Sequence, residues 1–362
     1  MVELNALLHQ VVACGASDVF LVAGLPPSYK VGGHLTHTGE RLMPDQTAEM
    51  IGKIYALGKR EMRVLHEKGE DDFAFSVPGL SRFRVNVYRQ RGSLAAVIRI
   101  ITFDLPDPAA IHIPDSVMEL SSLTRGLILV TGPAGSGKTT TLACLIDRIN
   151  KTREGHIITL EDPIEYLHKH DRSIVSQREI GMDTEGYIPA LRAALRQAPD
   201  VILLGEMRDY ETIRTAMTAA ETGHLVISTL HTAGAANSID RIIDAFPAAQ
   251  QNQVRIQLSM VLRAVVSQQL IPMKTGGVLP AAEVLRVNPA VANLIRDAKI
   301  HQIGAVMQAS AGTGMQTMDN ELLRLCKADV ITAENAVQYC FNREQMSKKL
   351  SLNQTSGGDD LW

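Results

Sequence analysis

The sequence predicts an α/β chain in two parts, a small α+β domain followed by a larger domain built on a mostly parallel sheet. Three observations predict this. A length of 362 residues exceeds what one ordinary core fills, so two domains are expected. As far as Ile101, strand-like runs follow one another with turn signals at Pro78-Gly79 and Gly92, as in an antiparallel sheet. From Val117 onward, apolar runs alternate with longer helical stretches, the βα pattern of parallel strands.

Taken in order, Leu4, Leu7, Leu8, Val11 and Val12 form one stripe, predicting an amphipathic helix over 3–14. Asp18 to Ala23 and Tyr29 to Thr36 read as strands, and Asp45 to His66 as a helical stretch. Strands follow at Asp72–Val77, Arg82–Tyr88 and Leu94–Ile101. Phe103 to Pro114 (FDLPDPAAIHIP) is proline-rich and aperiodic, which marks a linker. The second part predicts strands at 127–131, 156–160, 201–204 and 224–229. It predicts helices at 140–150, 188–197, 210–221 and 248–270, with further helical pieces beyond 288. The end, SLNQTSGGDDLW, is polar and glycine-containing and reads as disordered. The expected division is therefore 1–102, a linker over 103–115, a second domain over 116–350, and a tail over 351–362.

Composition excludes several classes. The chain is 45% hydrophobic and 21% charged, as soluble globular domains are, and its formal net charge is −3, with no basic run to attract nucleic acid. No apolar stretch reaches the ~20 residues of a membrane span, and MVELNALLHQ lacks the basic start and apolar core of a signal peptide. Cys14, Cys144, Cys326 and Cys340 are scattered without metal or disulfide spacing. These features place the expected protein in the cytoplasm.

The chemistry begins at Gly132-Pro133-Ala134-Gly135-Ser136-Gly137-Lys138-Thr139, with Thr140 following. This is G-x-x-x-x-G-K-T, a phosphate-binding loop. Its context is right: an apolar strand-like run, Leu127–Thr131, precedes it and a helical stretch follows. Backbone N–H groups and the helix N-terminus attract phosphate oxygens, Lys138 serves the β/γ-phosphates, and the Thr139 hydroxyl suits Mg²⁺. The expected ligands are ATP and Mg²⁺.

In open parallel sheets, ligands sit beyond the carboxyl ends of the strands. Reading past each strand gives Glu161, Asp162 and Glu165 after 156–160, Glu206 after 201–204, and His231 after 224–229, with His224 at that strand's other end. Glu206 is placed to orient the attacking water or hold Mg²⁺. Three carboxylates within five positions repel unless a cation relieves them, and Glu161 and Glu165 are the stronger candidates. Either histidine is a candidate for phosphate contact or relay. In the first domain Arg82, Arg84 and Arg99 lie on adjacent strands, with no acidic partner near them in sequence. Such a basic face fits an anion, including the nucleotide of a neighbouring subunit.

Together these segments resemble the ATPase superfamily of type II secretion and type IV pili, most nearly its pilus-retraction branch. GPAGSGKTTTLA (132–143) looks like the Walker A loop, ITLEDPIEY (158–166) like the aspartate box, DVILLGEMRD (200–209) like Walker B, and TGHLVISTLHT (222–232) like the histidine box. RFRVNVYRQRG (82–92), VIRII (97–101) and GMQTMD (314–319) are also similar. The resemblance implies a PAS-like N-terminal domain, a RecA-like ATPase domain with a helical C-terminal part, and a homo-hexamer. In that ring Arg84 and Arg99 would reach a neighbour's ATP, and Glu206 would stand at the catalytic position. It further implies pilus retraction, meaning pilin disassembly in twitching motility. It implies a place at the cytoplasmic face of the inner membrane, a platform-protein partner and a companion pilus ATPase. Ala290-Val291-Ala292-Asn293-Leu294-Ile295-Arg296-Asp297 departs from the branch's usual AIRNLIRE and keeps an accessory or assembly-type ATPase as the alternative.

Overall fold

A computed structural model describes residues 3–101 and 105–355. It divides into two compact units, Met1–Asp104 with Ile164–Leu167, and Leu105–Pro163 with His168–Trp362.

The first unit opens with α1 (Leu4–Ala13), whose Leu4, Leu7, Leu8 and Val11 are buried, and continues through β1 (Asp18–Leu21), β2 (Ser28–Val31) and β3 (His34–His37). Here the single strand expected over 29–36 is two strands folded at the Gly32-Gly33 turn, Val31 pairing with His34. The helix expected over 45–66 is also divided, into α2 (Pro44–Leu57) and α3 (Arg63–Lys68). Lys59, at φ 48°, turns the chain between them. Then come β4 (Glu70–Val77), β5 (Ser81–Gln90) and β6 (Ser93–Ile101), giving an antiparallel sheet in the order β3-β2-β1-β6-β5-β4. Strand alternation sends Phe83, Val85 and Val87 into the core with Ile51, Ile54 and Ile98. Asp71, 4% exposed, accepts two hydrogen bonds from Arg60 and one from Tyr55 Oη at 3.0 Å.

In the second unit, α4 (Asp115–Met118) leads to β7 (Gly126–Thr131), α5 (Lys138–Thr152), β8 (His156–Glu161), β9 (Ile174–Glu179), α6 (Tyr187–Ala194), β10 (Val201–Leu204), α7 (Tyr210–Glu221) and β11 (Leu225–Leu230). Next are α8 (Ala235–Asp244), α9 (Ala248–Val261), β12 (Leu262–Pro272) and β13 (Val278–Arg286). The helical end is α10 (Pro289–Arg296), α11 (Ile303–Ala309), α12 (Met318–Lys327), α13 (Ala333–Tyr339) and α14 (Arg343–Thr355). Seven strands form one sheet, β13-β12-β7-β11-β10-β8-β9, parallel except for β13. β7, β10 and β11 are buried at every position, as expected of strands covered on both faces.

Two expectations change in this unit. The helix expected over 248–270 stops at Val261, and β12 continues from Leu262 beside β7. No glycine or proline separates the two, and β12 is buried on both faces, so no period-two alternation reveals it. The disordered tail expected from 351 begins inside α14, which runs to Thr355, while 356–362 lie outside the described residues. Of the expected linker, 103 and 104 also lie outside them.

Candidate active site

The site grows from the strand order. Because β7, β11, β10 and β8 are adjacent and parallel, their carboxyl ends deliver the Gly132–Gly137 loop, His231, Glu206 and Glu161 to one rim in that sequence. The strands are spaced ~4.8 Å apart, so Glu206 stands roughly two strands, ~10 Å, from the strand that feeds the loop.

The loop turns sharply from β7 into α5. Its shape is set from behind by Gln268 of β12, 3% exposed, a residue the sequence reading placed in a helix. Gln268 Nε2 donates to the Ser136 carbonyl at 2.7 Å, and its Oε1 accepts from Thr141 Oγ1 at 2.8 Å. Both flanking glycines answer to this residue. A Cβ on Gly132 (φ +145°) would lie 2.3 Å from the Gln268 carbonyl, and one on Gly137 (φ +84°) would lie 2.8 Å from its Nε2. Lys138, 8% exposed, donates from Nζ to the carbonyls of Gly132 and Pro133 at 2.9 and 2.8 Å. The Ser136 hydroxyl is buried without a protein partner. A buried, unsatisfied hydroxyl inside a glycine cradle with an ammonium beside it suits a polyanion such as a triphosphate. Pro133, Ala134 and Gly135 form the exposed crest, and Thr139 and Thr140 are partly exposed in the first turn of α5.

Glu206 has its side chain 13% exposed and held on both oxygens. Arg208 Nε lies 2.6 Å from Oε1, and His231 Nε2 lies 3.3 Å from Oε2. The structure thus brings Glu206 and His231 together. Two neighbours that the sequence reading did not single out complete the corner, Arg208 and Tyr187. The Tyr187 hydroxyl lies against Gly205, and its pKa is pushed up by burial and then by the charges of Glu206, Asp162 and Glu161. Glu161, 8% exposed, accepts from Thr159 Oγ1 at 2.6 Å and Gln177 Nε2 at 3.2 Å.

Other expected residues are placed differently. Glu165 is exposed and belongs to the segment grouped with the first unit. Among the described residues, no group of three or more His, Cys, Asp or Glu side chains has a metal-holding arrangement, so Glu161, Asp162 and Glu165 do not form one cation cluster. His224 precedes β11 and hydrogen-bonds the Ala219 carbonyl at 2.9 Å. Its neighbour Leu225 pairs with Gly126 at the start of β7, so His224 stands at the rim opposite the loop. β11 runs between His224 and His231, so the two histidines stand at opposite ends of that strand. The arginines do have acidic partners. Arg84 pairs with Asp72 at 2.6 Å and Arg99 with Asp18 at 3.1 Å, because β4 and β1 lie beside their strands.

Comparison with known proteins accords with this geometry. The family model of the type II/IV secretion system protein matches residues 2–278. The Pseudomonas aeruginosa type IV pilus retractation ATPase PilT is 44% identical over 335 residues, 92% of this chain and 97% of that one. The type IV pilus ATPase PilU of the same organism is 40% identical over 361 residues, 99% of this chain and 94% of that one. A crystal structure of the pilus retraction motor PilT with bound ADP superposes with a TM-score of 0.87 at 45% identity, covering 96% of this chain and all (100%) of that one. The Legionella pneumophila ATPase DotB gives 0.78 at 26% identity, covering 92% of this chain and 93% of that one. The chain belongs to the type II/IV secretion system protein family.

Proposed function

We propose that the chain is a hexameric motor that hydrolyses ATP to retract type IV pili. The observation that carries this reading is the convergence of Lys138, Glu206 and His231 at one rim of the sheet, in a chain similar to PilT over nearly its whole length. Lys138 and the loop N–H groups bind the β/γ-phosphates of ATP. Thr139 and Glu206 are the residues that would hold Mg²⁺, which when bound would supply positive charge to the phosphates. Glu206 orients the attacking water and accepts its proton, with His231 aligning the carboxylate. Glu161, fixed by Thr159 and Gln177, is a further acid residue at the edge of the site.

Arg84 and Arg99 act on the ATP of a neighbouring subunit. Their pairs with Asp72 and Asp18 are surface pairs worth at most about 1 kcal/mol, so a phosphate competes readily. The motor works at the cytoplasmic face of the inner membrane against a platform protein. Among the described residues no helix is long and apolar enough to cross a membrane. A second reading, an accessory ATPase working beside another motor, has one specific support: the match to PilU spans 99% of this chain.

Deleting the gene and counting surface pili tests the role. Accumulation fits a retraction motor, and disappearance overturns it in favour of assembly. Accumulation that persists when a companion motor is supplied in excess keeps the primary reading over the accessory one. Purified Lys138→Ala should lose ATP turnover, and turnover at the parental rate would remove the loop from the mechanism.

A further inference from the structure

The loop rim also carries buried polar groups that phosphate chemistry does not use. Thr131 of β7, Ser267 of β12 and Glu283 of β13 stand in register across three adjacent strands. They are 0%, 1% and 7% exposed and are flanked along their strands by Val130, Val266, Ala282 and Val284. Burying such a row is costly unless every member is hydrogen-bonded.

Each member holds part of the chain that leaves His231. Ser238 Oγ of α8 donates to Thr131 Oγ1 at 3.2 Å and lies 2.7 Å from Thr232 Oγ1. The Gly234 N–H donates to Ser267 Oγ at 2.8 Å, and the Ala235 N–H donates to Glu283 Oε1 at 2.7 Å. The second oxygen of Glu283 accepts from the Met318 N–H at 3.2 Å. One carboxylate therefore closes the N-termini of both α8 and α12, where negative charge is favoured. The approach to α12 is fixed to the same strand: Val284 and Gln316 exchange backbone hydrogen bonds at 2.8 and 3.0 Å. Asp319 in turn accepts from the N–H groups of Phe341 and Asn342 at 2.7 and 3.0 Å.

We propose that Glu283 is a positioning residue for ATP hydrolysis, holding the segment from His231 to Ala235 in place while tying it to α12. The inference rests on the reading of His231 and Glu206 as the hydrolytic pair. Only a carboxylate suits the task, because two N–H donors need two acceptor oxygens and a carboxamide offers one. Through Glu283 the Gly234–Ala235 turn that follows His231 and the start of α12 share one carboxylate, so a displacement of one is passed to the other.

The test uses the full-length protein. Glu283→Gln should lower kcat by about tenfold, the usual cost of disturbing a supporting contact, with KM and the affinity for a fluorescent ADP analogue unchanged. Hydrogen exchange should rise in peptides covering 232–236 and 317–322 together. Ser267→Ala, which removes the adjacent bond and spares the buried charge, should lower kcat less and deprotect 232–236 alone, and it carries the test if Glu283→Gln does not fold. Parental kcat in both variants, or loss of protection without loss of kcat, would overturn the proposal. A parental protein without ATPase activity would instead overturn the underlying functional reading.

Discussion

Lowering the pH should unfold this protein partly through one side chain, His168. Its backbone N–H donates to Gln177 Oε1 at 2.8 Å, but its ring Nδ1 is buried without a hydrogen-bond partner. Burial pushes its pKa down from 6.5 to about 4, against a weaker opposing pull from Asp147. The sign follows from linkage. Above the unfolded pKa the ring is neutral in both states and pH has no effect through it. Between the two pKa values the unfolded chain binds a proton that the folded chain refuses, so stability falls as pH drops. Each pH unit in that window is worth about 1.4 kcal/mol, so the loss is of the order of 2 kcal/mol near pH 5. Replacing the ring by the unbranched apolar His168→Met removes the titration. Its effect on repacking is independent of pH. Urea unfolding followed by far-UV circular dichroism, at about pH 8 and about pH 5, reads both. The variant should gain on the parent by of the order of 2 kcal/mol between the two conditions. An unchanged difference between variant and parent across that range would refute the reasoning.

Two other outcomes follow from the contacts. Asp71→Ala leaves Arg60 and Tyr55 without their shared acceptor in the first unit, and should cost about 3 kcal/mol in urea unfolding because a largely buried pair is broken; a loss under about 1 kcal/mol would contradict this. Gly137→Ala puts a Cβ 2.8 Å from Gln268 Nε2 at a left-handed φ, and should weaken nucleotide binding by about tenfold in a titration with a fluorescent ATP analogue; parental affinity would mean that the loop is not braced from β12.

What the sequence disclosed depended on how local each signal is. The phosphate loop, the strand 201–204 and the helix 210–221 are written in neighbouring residues, and they stand where expected. The rim that gathers Glu206 and His231 was legible because ligand placement in a parallel sheet follows from strand ends alone. β12 was not, since a strand buried on both faces lacks alternation and here follows a helix without a break. Losing β12 also lost Gln268 and the Ser267–Glu283 pair, whose meaning lies in register with β7. Arg84 and Arg99 looked unpartnered because their acids, Asp72 and Asp18, are brought beside them only by antiparallel pairing. His224 and His231 bracket a strand, and β11 between them sets them at opposite ends, so only His231 reaches the rim of Glu206.

The central claim is that Glu206, held between Arg208 and His231, drives water onto a triphosphate bound by the Lys138 loop. The most direct measurement is single-turnover hydrolysis of ATP by Glu206→Gln beside its ATP affinity. The variant should keep an affinity within about twofold of the parent and hydrolyse ATP more slowly by roughly 10²–10⁴, the contribution of a positioned general base. Hydrolysis at the parental rate, or a loss confined to binding, would contradict it.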